Sequence, residues 1–224
     1  MTPPLGSPTL LVVPTELELS RLEDQGGFER GSCLRSLCGF GVVAAAARTA
    51  QLLAELSPAR VLLVGIAGTY DEERYPVESA CDFDAVSLYG VGAGEGEAFL
   101  GPPALGFPQW PGSPGTTPHP VVDTLPLARR AAGPPATLLT TCAAAANDAE
   151  AARRRALFPE AVGEDMEGFA VTLACALSDT PVRVVRGFSN RVGDRAPENW
   201  RIPAALAAAR ERALELLAPE ADWE

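Results

Sequence analysis

The chain of 224 residues is 47% hydrophobic and carries a formal net charge of −11 at pH 7. This length suits one large α/β domain with a sizeable core, and the apolar runs are too short to span a membrane. The acidic balance excludes the basic footprint that a nucleic-acid groove needs, and the absence of lysine excludes Schiff-base chemistry and a P-loop.

The cysteines and the histidine predict neither a metal centre nor a nucleophilic triad. The five cysteines have spacings that match no disulfide framework or zinc pattern, so we expect free thiols. The only histidine, His119, lies in a proline-rich loop, where a solvated side chain is the simplest interpretation. We therefore expect no metal and no cofactor. No basic region precedes the first apolar residues, which argues against a signal peptide and favours a cytoplasmic protein.

Short apolar runs and longer amphipathic stretches alternate along the chain. The short runs, bounded by proline or glycine, predict buried strands, and the longer stretches have the apolar spacing of helices. Because strands and helices alternate and no internal repeat occurs, we predict one α/β domain over residues 1–224. A long loop rich in glycine and proline at 90–120 interrupts the pattern, and such loops are often functional. The predicted strands are at 10–13, 61–64, 82–88, 136–142, 162–164 and 182–185, and the main helices at 42–56, 148–157, 165–177 and 202–217.

Glu18 lies at the start of the first predicted helix and has two interpretations. Thr15-x-x-Glu18 is the pattern of a capping box, in which the glutamate ties down the first turn of the helix. A catalytic carboxylate is the alternative. The local pattern alone favours the cap.

Two glycine-containing segments suit the close approach of a ligand to the backbone. The G-x-G turn at 39–41 precedes an alanine-rich helix, whose start suits an anion or a sugar. It lacks the third glycine and the acidic partner of a dinucleotide fingerprint, so tight packing of strand on helix is the alternative. Gly65 and Gly68 bracket small residues where the strand at 61–64 ends.

The second half of the chain contains a carboxylate and an amide that we expect at one site. Glu167 stands in the first turn of the helix at 165–177, where it either pairs with the helix dipole or accepts the two hydroxyls of a ribose. Asn190 follows the strand at 182–185, where asparagine is common for backbone reasons. Its amide is also complementary to a 6-oxopurine, whose O6 accepts and whose protonated N7 donates. Ligands of α/β sheets bind beyond the carboxyl ends of strands, which favours a shared site.

Five segments spread over most of the chain carry a family resemblance: LLVVPTELE, GFGVVAAA, VLLVGIAG, LFPEAVGEDMEGFA and VVRGFSNRVGD. The most specific feature is Met-Glu-Gly at 166–168, followed by a strand that ends in Arg-x-x-Ser-Asn at 186–190. These segments resemble the nucleoside phosphorylase/nucleosidase superfamily, and those at 65–68 and 189–194 look most like the futalosine hydrolases. The resemblance implies a single-domain, three-layer phosphorylase/hydrolase-like fold, with helices flanking a central mixed twisted sheet. It also implies a homodimer or a larger homo-oligomer.

By position, the resemblance implies roles for three residues. Glu167, after Met166, matches the glutamate that binds the ribose 2′ and 3′ hydroxyls. Asn190 matches the residue that contacts the purine at N7 and C6, which is an aspartate in adenine-specific relatives, so the asparagine favours a 6-oxopurine. Glu18 matches the glutamate that activates the attacking water, which moves its interpretation from cap toward catalysis.

The resemblance also implies further contacts and an activity. Backbone at Gly65, Ala67 and Gly68 would surround the ribose and the water, and Phe188 is a candidate to stack on the purine. The implied reaction is hydrolysis of the N-glycosidic bond of futalosine to hypoxanthine and dehypoxanthinyl futalosine, in menaquinone biosynthesis. The expected partner is thus a small-molecule nucleoside. The alternatives are a purine nucleoside phosphorylase, a nucleosidase for methylthioadenosine or adenosylhomocysteine, and a nucleoside-binding protein without activity.

Overall fold

A mixed β-sheet forms the centre of the computed structural model, which describes residues 8–28, 33–112, 120–127, 135–218 and 223. His119 and residues 113–118 of the predicted loop lie outside the described residues. The strands are β1 (Thr9–Val13), β2 (Cys33–Leu37), β3 (Arg60–Thr69), β4 (Ala80–Asp82), β5 (Ala85–Tyr89), β6 (Thr124–Pro126), β7 (Thr137–Thr141), β8 (Ala161–Asp165) and β9 (Val182–Arg191). The helices are α1 (Glu16–Asp24), α2 (Val42–Leu56), α3 (Pro102–Leu105), α4 (Asp148–Leu157), α5 (Gly168–Leu177) and α6 (Ile202–Leu217). Within these ranges no helix combines the length and the apolar character needed to cross a bilayer.

The sheet runs in the order β2-β1-β3-β8-β7-β5-β6, and β9 lies along the other edge of β3. Five pairs are parallel: β1 with β2, β1 with β3, β3 with β9, β5 with β7 and β7 with β8. The pairs β3 with β8, β4 with β9 and β5 with β6 are antiparallel. The predicted α/β class, with a mixed central sheet flanked by helices, is thereby confirmed.

Two hydrophobic cores, one on each face of the sheet, follow from the alternation of side chains along the strands. Leu10 and Val12 of β1 point to the core shared with α2 and α5, whereas Leu11 and Val13 point to the core shared with α1 and α6. All four side chains are fully buried, and burial of one Leu or Val side chain contributes roughly 1.5–3 kcal/mol to stability. The helices and the sheet therefore form three layers.

The two central strands are longer than the sequence predicts. β3 and β9 pair in parallel from Val61 with Val182 to Thr69 with Arg191, with one register shift between Ala67 and Gly68. The sequence predicted that these strands end at 64 and 185, because the glycines and polar residues that follow are typical of turns. Pairing between the two strands overrides that local preference, since each supplies the hydrogen-bond partners of the other. Residues 187–190, which the sequence placed beyond the end of this strand, are therefore part of it.

Helix α5 begins three residues later than predicted. Asp165 is the last residue of β8 and not the first residue of the helix. Its Oδ2 accepts the backbone N–H of Gly168 at 2.8 Å, so this carboxylate satisfies a free donor at the helix start. Glu167 occupies the cap position by its backbone, but its side chain makes no capping bond and points elsewhere. Asn147 caps α4, because its Oδ1 accepts the N–H of Glu150 at 3.0 Å.

Candidate active site

A cavity of about 380 Å³ opens beside the ends of β3, β8 and β9. This volume lies in the range of sites for small molecules. The start of α1, the turn before α2 and the turn before α4 complete its walls. Most of the residues predicted for the site line this cavity, although they come from widely separated parts of the chain: Glu18, Ala67, Gly68, Met166, Glu167 and Asn190. The other two, Gly65 and Phe188, do not line it.

Glu18 faces the cavity and also contacts the start of its own helix. Its side chain is 4% exposed. Oε1 accepts the backbone N–H of Ile66 at 3.0 Å, and Oε2 accepts the hydroxyl of Thr15 at 2.6 Å. Oγ of Thr15 accepts the backbone N–H of Glu18 at 3.3 Å, which is one half of a capping box. The carboxylate therefore links the start of α1 to β3 at the cavity wall, which is a contact that a helix cap alone does not make.

Arg186, which belongs to the Arg-x-x-Ser-Asn segment but received no role from the sequence, connects the carboxylates of the site. Its guanidinium is fully buried, and Nε and Nη2 donate to Oδ2 of Asp165 at 3.0 and 2.6 Å. Nη2 also reaches Oε2 of Glu167 at 3.3 Å. Nη1 has no hydrogen-bond partner among the described residues. The one available signal was an arginine at the end of the apolar strand at 182–185.

Gly65 lies behind the cavity wall and is required by this cluster. A Cβ at this position would overlap Nη1 of Arg186 and would lie 2.7 Å from Oε1 of Glu18. Only glycine therefore lets the guanidinium and the carboxylate approach each other across β3. The sequence predicted close approach at Gly65, but the group that approaches is a side chain of the protein.

Glu167 is held between the buried arginine and the start of α2. Its Oε1 accepts the backbone N–H of Gly41 at 2.9 Å, so the anion at the predicted G-x-G turn is this carboxylate. Burial raises the pKa of the Glu167 carboxyl to about 7. Arg186 opposes the rise, Asp165 adds to it, and the Gly41 N–H opposes it in turn. Burial alone would lower the pKa of the Arg186 guanidinium, but Asp165, Glu167 and Glu18 outweigh burial and raise it.

The amide of Asn190 is fixed by hydrogen bonds on both sides. Nδ2 donates to the backbone oxygens of Arg191 at 2.7 Å and Asp194 at 3.4 Å. Oδ1 accepts the hydroxyl of Ser189 at 2.8 Å. The donor side of the amide is thus engaged by the protein, and Oδ1 keeps one further lone pair to offer. An N7–H donor of a purine matches this arrangement better than an O6 acceptor does.

Phe188 does not stack on a cavity ligand, so this prediction is wrong. The ring is fully buried in the core shared with α2 and α5. It packs against Phe83 and Tyr75, with ring centroids 6.3 and 5.9 Å away. The error follows from treating 187–190 as a turn, because in a strand neighbouring side chains point to opposite faces. The aromatic residues that do line the cavity are Phe40 and Trp200.

The described part of the loop at 90–120 does not contribute to the cavity. The ring of Phe99 packs on Tyr89 with centroids 4.8 Å apart, and Trp110 packs against the core. Phe107 is 74% exposed. The three aromatic residues of the loop therefore match a surface flap and not a cover over a ligand. Across the described ranges, no group of three or more His, Cys, Asp or Glu is arranged to hold a metal ion.

Residues 26–219 match the model of the phosphorylase superfamily, and the chain belongs to this family. It is 38% identical to a futalosine hydrolase of Streptomyces coelicolor over 163 residues, which cover 71% of this chain and 65% of that enzyme. The chain thus spans slightly less than two thirds of that relative. It is 30% identical to a 5'-methylthioadenosine/S-adenosylhomocysteine nucleosidase of Marinomonas sp. over 191 residues, which cover 82% of this chain and 78% of that enzyme.

Solved structures show the same fold. The futalosine hydrolase of Helicobacter pylori superposes with a TM-score of 0.71 at 12% identity, covering 94% of this chain and 97% of that chain. A 5'-methylthioadenosine/S-adenosylhomocysteine nucleosidase from Colwellia psychrerythraea, solved in complex with adenine, superposes with a TM-score of 0.72 at 20% identity. That match covers 94% of each chain. At these identities the likeness establishes the fold and leaves the substrate to the residues of the site.

Proposed function

We propose that this chain is a purine nucleosidase that hydrolyses the N-glycosidic bond of futalosine, with hypoxanthine and dehypoxanthinyl futalosine as products, in menaquinone biosynthesis. The observation that carries the proposal is the convergence of Glu18, Glu167 and Asn190 on one cavity. Similarity to the Streptomyces coelicolor futalosine hydrolase supports the choice of substrate.

In the proposed complex Glu167 holds the sugar. An ionised carboxylate accepts hydrogen bonds and has room for two donors, which the 2′ and 3′ hydroxyls of ribose supply. Met166 lines the cavity beside it and offers an apolar surface to the ring. Backbone at Ala67 and Gly68 lies along the same wall. The buried Arg186 keeps Glu167 in place through Nη2.

Hydrolysis then needs an activated water and a stabilised leaving group. Glu18 takes a proton from water as the water oxygen bonds to C1′, and the bond from C1′ to the purine breaks with its electrons going to the base. N7 takes a proton from solvent as this bond breaks, so the purine leaves as a neutral base whose N7–H Oδ1 of Asn190 accepts, and Glu18 afterwards returns its proton to solvent. A general base of this kind contributes about 10²–10⁴-fold in rate.

The charges of the site favour water over phosphate as the nucleophile. The cavity is lined by four carboxylates, Glu18, Glu164, Asp165 and Glu167, and by one arginine, Arg195, so the lining would repel an incoming phosphate. Arg35 and Arg48, whose guanidinium groups could pair with phosphate, are not among the cavity residues. They pair with Glu23 and Glu55, each at 3.6 Å. Phosphorolysis is therefore the weaker alternative.

A methylthioadenosine or adenosylhomocysteine nucleosidase is the second candidate. The Marinomonas relative favours it, because its match covers more of this chain than the futalosine hydrolase match does. The neutral side chain at Asn190 favours futalosine, because the charge of an aspartate at this position would repel O6 of a 6-oxopurine and attract the amino group of adenine. Rates measured on both nucleosides separate the two candidates.

We also propose that residues 1–224 act as one domain, in a homodimer or larger homo-oligomer, in the cytoplasm. Three apolar side chains beside the cavity support self-association: Leu17 is 55% exposed, Phe40 65% and Val43 80%. Leu17 and Phe40 also line the cavity, so a second copy seated here would help to close it. Sedimentation at micromolar concentration should give at least a dimer, and Val43→Asp should shift it toward monomer. A wild-type monomer would contradict this assembly.

Release of hypoxanthine from futalosine, measured with and without phosphate, tests the proposed activity. We expect release that does not depend on phosphate. Phosphate-dependent release would assign the chain to the phosphorylases. Release of adenine from methylthioadenosine, with no turnover of futalosine, would assign it to the second candidate. Absence of turnover on every nucleoside would favour a binding protein.

A further inference from the structure

Glu164 and Asn190 face the cavity from two strands that flank β3. Gly68 of β3 is paired with Glu164 of β8 on one side and with Asn190 of β9 on the other. Neighbouring strands lie about 4.8 Å apart, so the Cα atoms of Glu164 and Asn190 are separated by roughly 10 Å. Both residues line the cavity, and Gly68 has no side chain between them. The row thus presents two polar groups on either side of a residue without a side chain, where a Cβ would lie 2.9 Å from Cγ2 of Val192.

The carboxylate of Glu164 is held firmly and is not fully used. It is 6% exposed. Oε1 accepts the backbone N–H of Ala145 at 2.8 Å, while Oε2 accepts the hydroxyl of Tyr70 at 2.6 Å and Nη1 of Arg154 at 2.9 Å. Burial and the neighbouring carboxylate raise the pKa of Tyr70, so its hydroxyl remains a donor. A carboxylate has about four acceptor sites, which leaves one on Oε1 for a ligand.

We propose that Glu164 is a specificity-determining residue that accepts the N1–H of a 6-oxopurine while Asn190 contacts N7. This inference rests on the proposed function, because it assumes that a purine lies between the two side chains. N1 and N7 stand on opposite sides of C6 in a purine, as the two residues stand on opposite sides of Gly68. N1 of hypoxanthine carries a hydrogen, whereas N1 of adenine is an acceptor that a carboxylate repels.

The bond from Ala145 strengthens this selection. A backbone N–H at the cavity wall would be a suitable donor to N1 of adenine, but that of Ala145 is directed to Glu164. A purine edge placed here therefore meets an acceptor and not a donor. Sites that hydrogen-bond a substrate group reject analogues that leave the buried group unpaired. Loss of one charge-assisted hydrogen bond should weaken binding on the order of 10- to 100-fold.

Binding of free bases tests the proposal without relying on turnover. Hypoxanthine, 1-methylhypoxanthine and adenine are titrated calorimetrically into the wild-type protein. We expect hypoxanthine to bind at least about 10-fold more tightly than either of the others. Equal affinity for hypoxanthine and 1-methylhypoxanthine would overturn the role of Glu164, as would a wild-type protein that binds none of the bases.

Two variants separate recognition from support of the fold. Glu164→Gln removes the charge, and the ratio of hypoxanthine to adenine affinity should fall about 10-fold. Tyr70→Phe is the matched control, because it removes one hydrogen bond to the same carboxylate and leaves Glu164 able to accept N1–H. The ratio of hypoxanthine to adenine affinity should therefore stay unchanged in Tyr70→Phe. An unchanged ratio in Glu164→Gln refutes the proposal. Should that variant not fold, the wild-type comparison of the two hypoxanthines decides. A protein that shows the expected binding pattern but does not hydrolyse futalosine contradicts only the proposed function.

Discussion

Replacing Glu18 with glutamine separates a general base from a helix cap. The substitution removes the charge and preserves the shape of the side chain. The cap itself survives, because Oγ of Thr15 accepts the backbone N–H of residue 18 whatever its side chain. The carbonyl oxygen of glutamine can also still accept the N–H of Ile66. The change therefore removes basicity and little else.

The expected effects on rate and on stability differ widely. Loss of a general base lowers kcat for nucleoside hydrolysis by about 10²–10⁴-fold. The fold loses at most the bond from the Thr15 hydroxyl, which is worth about 1 kcal/mol. In a domain of this size that is a change in Tm of about 2–4 °C. A large loss of rate with a small change in Tm is the signature of a catalytic role.

Glu16→Gln is the matched control. Glu16 lies in the same first turn of α1, so its replacement makes the same change in the field of the helix, but its side chain is exposed. Steady-state release of the base and thermal unfolding are measured for both variants. We expect Glu16→Gln to keep kcat within about twofold of the wild-type value. If Glu18→Gln also kept most of the wild-type kcat, the general-base assignment would be refuted and the cap would remain.

Three other substitutions test the remaining groups of the site. The pKa of Glu167 near 7 predicts that kcat/KM rises with pH through a midpoint near 7, because only the ionised form accepts both ribose hydroxyls. Glu167→Gln should remove this midpoint from the pH profile of kcat/KM. Native Glu167 binds its proton more tightly than the unfolded chain does, so its contribution to the free energy of unfolding should fall as the pH rises from 4.5 to about 7. Urea titrations of Glu167→Gln at several pH values should show a weaker dependence of the free energy of unfolding on pH over this range. Arg186→Met leaves Asp165 buried without its cation and should cost about 3–5 kcal/mol in denaturant titrations; a loss below about 1 kcal/mol would show that the cluster adapts. Asn190→Asp should lower the ratio of kcat/KM for hypoxanthine over adenine nucleosides by at least about 10-fold, and an unchanged ratio would remove this residue from base recognition.

The sequence predicts the core well because its signals are local. The run at 10–13 is apolar at every position, and a strand buried on both faces needs that pattern. The meeting of Glu18 with Glu167 and Asn190 follows from a rule of topology, because ligands of α/β sheets bind beyond the carboxyl ends of the strands. The family resemblance supplied the pairing of these particular residues, which periodicity alone does not give.

The parts that the sequence missed depend on contacts between distant segments. Residues 65–69 and 186–191 have the composition of turns, and only their mutual pairing extends β3 and β9. The extension also reverses the expected direction of Phe188, which lies in the core. Arg186 could not be placed from its neighbours in the chain, because its partner Asp165 belongs to another strand. The sequence predicts a strand at Glu164 but no role for its side chain, because its partners Tyr70 and Arg154 lie in other segments of the chain.

Two buried ionic clusters divide the cavity by the kind of ligand group that each can accept. At one end Arg186 serves both Asp165 and Glu167, and burial, with a smaller contribution from Asp165, raises the pKa of Glu167 to about 7. At the other end Glu164 shares Arg154 with no second buried carboxylate and is also held by a hydroxyl and an N–H. Buried charges of this kind stabilise a fold weakly, since desolvation offsets most of the attraction. Their value here lies in acceptor oxygens fixed at both ends of one cavity, which suit a ligand with hydroxyl donors at one end and an N–H donor at the other.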